Sequence, residues 1–141
     1  MKNLDFSSLP KIIAVDFDGT LVTDAWPEIG EPNTKLVSEL KALQKDFGVK
    51  LILWTCRNNA LERSMLNEAL NFCTKHLNLK FDAVNDNIKE AISLTGQNTR
   101  KIYADLYIDD KSIPHNQDML YWLDSLGLNY IEVKDKIDYG S

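Results

Sequence analysis

The chain has 141 residues, 44% of them hydrophobic and 26% charged. That balance suits one globular domain over 1–141 and excludes intrinsic disorder, collagen-like repeats and a disulfide scaffold. Its 16 basic and 21 acidic residues give a net charge of −5, which argues against a general grip on nucleic acid but leaves room for a local phosphate pocket.

No apolar run approaches the ~20 residues that span a bilayer, and the N-terminal stretch Met1 to Pro10 has no apolar signal core. The expectation is a cytoplasmic protein with no membrane partner, and with Cys56 and Cys73 as reduced thiols.

Lys11 to Phe17 is a β-branched apolar run that ends in acid and glycine, the pattern of a buried strand. Trp26 to Asn33 holds two prolines and a glycine and reads as a loop. Asn33 or Thr34 then caps a helix with Leu36, Val37, Leu40 and Leu43 at helical spacing and Gly48 at its end. Val49 to Thr55 is a second buried strand, and Asn58 to Leu77 reads as a helix.

Phe81 to Val84 is a short third strand, followed by a turn at Asn85 to Asn87 and a helix through Ile92. Ile102 to Ile108 is a fourth strand, bent near Ala104 and Asp105. His115 to Leu126 reads as a helix closed by Gly127, and Tyr130 to Val133 as a fifth strand. Such alternation predicts an α/β fold: a three-layer, Rossmann-like parallel sheet of about five strands with helices on both faces.

In such a sheet a ligand site forms at the carboxyl ends of the strands, where the strand order reverses. Asp16-Phe17-Asp18-Gly19-Thr20 ends the first strand, Thr55-Cys56-Arg57 the second, and Asp109-Asp110-Lys111 the fourth. The three clusters bring up to four carboxylates to one sheet edge, and like charges so crowded need a counter-charge. A hard divalent cation such as Mg²⁺, which takes carboxylates, water and substrate phosphate, answers that need.

Asp16-Phe17-Asp18-Gly19-Thr20-Leu21 resembles the first signature of the haloacid dehalogenase-like hydrolase superfamily. Thr55 after an apolar strand, Lys101, and the acid pair Asp109-Asp110 resemble the other three, in the same order. The stretch from Lys101 to Lys111 looks like that of the small cap-less phosphatases of the superfamily. Only a loop and one helix fit between Asp18 and Val49, and the 45 residues between Thr55 and Lys101 are already used by helices and a strand. No sizeable cap domain is expected.

The resemblance implies a Mg²⁺-dependent phosphomonoester hydrolase. In it Asp16 is the nucleophile, and Asp18 protonates the leaving alcohol and then activates water. Thr55 hydrogen-bonds the transferring phosphoryl group, and Lys101 offsets charge, with Lys89 and Arg100 as competitors for that place. Asp110 holds Mg²⁺ together with Asp16 and the backbone carbonyl of Asp18, Asp109 acting through a water.

Beside the site, Cys56 is placed against the substrate and Arg57 could reach a second anionic group on it, a surface arginine being the plainer alternative. Trp26 and Glu28 could wall the pocket or simply pack the loop. The substrate expected is a phosphorylated small molecule, or a phosphate on a larger carrier, and the oligomeric state is left open. The rival expectation is a domain of the same fold that binds a phosphorylated ligand or protein without turning it over.

Overall fold

The computed structural model describes residues 5–60, 63–110 and 119–140. Strand β1, Ile12–Val15, is buried on both faces and lies at the centre of a parallel sheet. Its neighbours are β4, Lys50–Leu53, on one side and β6, Leu106–Ile108, on the other, with β5, Ala83–Val84, beyond β4. The chain therefore moves outward from β1 to β4 and β5, then returns to the opposite side of β1. This is the reversal of strand order at which a crevice opens.

Alternation along β1 divides the core. Ile13 and Val15 join a large cluster with Leu36, Leu40 and Leu43 of helix α1, Thr34–Phe47. Ile12 and Ala14 point the other way, into a smaller cluster with Ile88, Ala91 and Ile102. Ala91 belongs to helix α3, Lys89–Thr95. Layers on both sides of a parallel sheet give a Rossmann-like α/β fold, as the continuous apolar strands require.

The ends of α1 match their residues. The Asn33 side chain accepts a hydrogen bond from the Leu36 amide at 3.2 Å, and Gly48 closes the helix at φ +66°. Carboxylates also finish the sheet where backbone partners run out: Asp105 accepts from the Ile12 amide and Asp82 from the Leu51 amide, both at 2.8 Å.

Four expectations are corrected. Most of the stretch Trp26 to Asn33, read as a loop, is strand β3, Glu28–Pro32, which pairs antiparallel with β2, Val22–Ala25, in a hairpin. Its prolines sit in the turn and at the strand end, where no ladder amide is needed.

Helix α2, Met65–Phe72, starts later than Asn58 and runs on as a π-helical turn, Cys73–Leu77. The side chains of Asn58 and Asn59 bond the amides of Ala60 and Asn67, which offers the backbone an alternative to the helix. Leu61 and His115 to Asp118 lie outside the described residues, and Met119–Tyr121 and Leu123–Leu126 form 3₁₀ turns.

The stretch read as a fifth strand is helix α4, Tyr130–Lys136, so the parallel sheet has four strands among the described residues. Asn129 caps it, accepting from the amides of Ile131 at 2.9 Å and Glu132 at 3.2 Å. Only Val133 is buried, with Tyr130 and Ile137 partly so, a helical spacing that the short stretch Tyr130 to Val133 conceals. Among the described residues no helix is long and apolar enough to cross a membrane.

Gly30 is fixed by the hairpin. A Cβ there would lie 2.1 Å from the Thr23 carbonyl oxygen, and no side-chain rotation relieves a clash with backbone. Gly30→Ala is expected to speed amide exchange over residues 22–32 by at least about tenfold, equivalent to about 1.4 kcal/mol of lost local protection, leaving β1 and β4 protected. Unchanged exchange in the hairpin contradicts this.

Candidate active site

Strand register builds the site. Val15 pairs with Leu53 on one side and Ile108 on the other, and Leu53 pairs with Val84. The next residues, Asp16, Trp54, Asp109 and Asn85, therefore leave the sheet at the same level. With Thr55, Cys56 and Asp110 they line a cavity of about 460 Å³. A larger hollow of about 610 Å³ lies between α1 and the C-terminal segment and holds none of these strand-end groups.

After β1 the chain turns tightly. The Phe17 carbonyl accepts from the amides of Thr20, Leu21 and Val22 at 3.2, 3.0 and 3.2 Å, and Gly19 adopts φ +79°. A Cβ at Gly19 would lie 2.9 Å from an Asp110 carboxylate oxygen, so the acid pair after β6 presses against the turn after β1.

Asp16 accepts a 2.8 Å bond from the Phe17 amide, yet its carboxyl titrates at about 6. Burial is the main cause, and the charges of Asp110, Asp109 and Asp18 add to it. Because this value is raised, Asp16 contributes stability that is complete below its ordinary 3.8 and lost as pH rises through about 6. In metal-free buffer the advantage of Asp16→Asn over the parent is expected to grow by about 1 kcal/mol between about pH 4 and 7, after discounting for solvent around the partly exposed group. Denaturant melts of both proteins across that range check it; a constant difference contradicts it.

Thr55 is held from two sides: its amide donates to Asn85 Oδ1 at 2.8 Å, and its Oγ1 accepts from the Arg57 amide at 3.1 Å. Asn85, at φ +51°, was missed in the sequence; its only signal is its place at the carboxyl end of β5. Cys56 is exposed at the cavity, whereas Cys73 is buried and its thiol is pushed up to about 12.

Arg57 corrects the expectation of a substrate contact. It is fully buried, and its Nε and Nη2 donate to the two carboxylate oxygens of Asp18, both at 2.8 Å. Lys101 is exposed and does not line the cavity; nor do Lys89, which borders a separate hollow, or the exposed Arg100. No basic residue is among the described cavity-lining residues.

Trp26 lies over Arg57, and the Glu28 carboxyl is lowered from its ordinary value by its hydrogen bonds to Arg63. Arg63 joins Glu28 of the hairpin to Glu68 of α2, its shortest bond to each being 2.7 Å.

Among the described residues no three His, Cys, Asp or Glu side chains are grouped as a metal cage. The cavity instead has Asp16 and Asp110 on its wall, with Asp110 pressed against the Gly19 backbone, and the charges of Asp110, Asp109 and Asp18 bear on Asp16. Two carboxylates and a backbone carbonyl, completed by water, fit the partial protein shell that Mg²⁺ accepts.

The fold and this edge define a Rossmann-like α/β protein with an acidic site at its strand-order reversal. No protein-family model and no curated protein matches the chain. A solved structure described as that of a conserved protein from Bacteroides thetaiotaomicron is 33% identical, over 89% of this chain and 98% of that one, with a TM-score of 0.64. The chain belongs to the same family as that conserved Bacteroides protein.

Proposed function

We propose that the chain is a Mg²⁺-dependent phosphomonoester hydrolase of the haloacid dehalogenase-like superfamily, a cytoplasmic enzyme acting through an aspartyl phosphate. The observation that carries this reading is the placement of Asp16, with its carboxyl raised to about 6, in one cavity with Thr55, Asp109 and Asp110. A group that resists ionisation among carboxylates gains most from a cation and an electrophile beside it.

Asp16, Asp110 and the Asp18 carbonyl would hold Mg²⁺, which when bound offsets charge on the phosphoryl oxygens. An ionised Asp16 oxygen attacks phosphorus, and the bond from phosphorus to the leaving oxygen breaks as Asp18 gives that oxygen a proton. Asp18 then takes a proton from water, whose oxygen attacks phosphorus; the bond to Asp16 breaks, freeing phosphate and restoring Asp16. Thr55 donates its hydroxyl proton to a phosphoryl oxygen, with Asn85 and the Arg57 amide fixing its place.

Trp54, 37% exposed at the cavity wall, suits the ring face of a phosphorylated sugar, nucleotide or aryl group. The second reading, binding without turnover, draws on the hold that Arg57 has on Asp18. The test is hydrolysis of 4-nitrophenyl phosphate with Mg²⁺ and with chelator. Mg²⁺-dependent turnover, absent in Asp16→Asn, is expected; phosphate binding with no turnover favours the second reading.

A further inference from the structure

The Arg57 guanidinium has more partners than a salt bridge requires. One edge grips both oxygens of Asp18, and Nη2 also donates to the Glu28 carbonyl of β3 at 2.9 Å. The ring of Phe17 lies 5.2 Å from it and the ring of Trp26 5.1 Å, while Nη1 is buried with no partner among the described residues. Two of these supports, the Trp26 ring and the Glu28 carbonyl, belong to the β2–β3 hairpin. Phe17 is the residue between Asp16 and Asp18.

We propose that Arg57 is a positioning residue through which the seating of the hairpin sets the orientation of the Asp18 carboxylate; this rests on the phosphatase reading above. A planar fork set over two aromatic rings and bonded at one nitrogen to the hairpin backbone has one direction in which to present its remaining donors. Asp18 follows that direction, because both of its oxygens are engaged. With Nη1 unpartnered among the described residues the seat is incomplete, so a shift of the hairpin costs less than the breaking of a fully bonded pair. A buried ion pair is poor evidence for a stabilising role, and this one adjoins the nucleophile.

The test measures kcat/KM for aryl phosphates whose phenols span a wide range of basicity, in the parent, Arg57→Met and Trp26→Ala. Proton donation matters most for the most basic leaving group. Both variants are therefore expected to stay within about threefold of the parent on 4-nitrophenyl phosphate and to lose about tenfold or more on phenyl phosphate. Trp26 is half exposed at the hairpin tip, so Trp26→Ala carries the test even if Arg57→Met does not fold.

A steeper dependence on leaving-group basicity in Trp26→Ala, shared by Arg57→Met where it folds, supports the proposal. Equal losses on all esters, or an unchanged dependence in Trp26→Ala, overturn it while the phosphatase reading stands. A parent that hydrolyses none of the esters overturns that reading, and the positioning role falls with it.

Discussion

Asp16→Asn is expected to lower kcat/KM for 4-nitrophenyl phosphate by at least about 10³-fold while leaving the fold intact. The carboxamide has the shape of the carboxyl but cannot supply the attacking oxygen. It also removes a charge that the site bears at a cost, since burial and three neighbouring acids hold Asp16 at about 6. The variant should therefore be at least as stable as the parent in metal-free neutral buffer, which separates lost chemistry from lost structure. Steady-state rates and a denaturant melt on the same preparations check both halves. Activity retained within about tenfold assigns the nucleophile elsewhere.

Asp18→Asn is expected to cost about 10²–10⁴-fold, with a different signature. On an ester with a good leaving group the first step needs little protonation, whereas attack of water on the intermediate still needs a base. Phosphorylated protein should accumulate, and intact mass after acid quench should rise by one phosphoryl group. Asparagine also gives up the charged half of the pair with Arg57, and breaking a buried pair from one side costs about 3–5 kcal/mol where both groups are fully buried. Asp18 is 17% exposed, so the loss should fall at or below the bottom of that range. Turnover lost with no phosphorylated protein removes Asp18 from the second step.

The strands that place the site were legible because they are short β-branched runs ending in acid, threonine or glycine. Register then did what spacing alone could not: Val15 opposite both Leu53 and Ile108 aligns Asp16, Trp54 and Asp109. The hairpin was hidden because prolines and a glycine signal a break and do not reveal that the flanking residues pair. Helix α4 was hidden because in Tyr130 to Val133 only the cap at Asn129 distinguishes a helix from a strand.

Arg57 shows the deeper limit. Its place after Thr55 pointed outward, and only three-dimensional packing brings Asp18, Phe17, Trp26 and Glu28 around one guanidinium. Lys101 shows the reverse: its order in the sequence matches a signature, yet the described cavity wall does not include it.

The most direct test of the central claim is a crystal structure of the protein with Mg²⁺ and beryllofluoride, which stands in for a phosphoryl group on a carboxylate. The account predicts beryllium bonded to a carboxylate oxygen of Asp16, with Thr55 on a fluorine and Mg²⁺ held by Asp16, Asp110 and the Asp18 carbonyl. Beryllofluoride bonded to another side chain, or absent from a cavity that holds Mg²⁺, contradicts it.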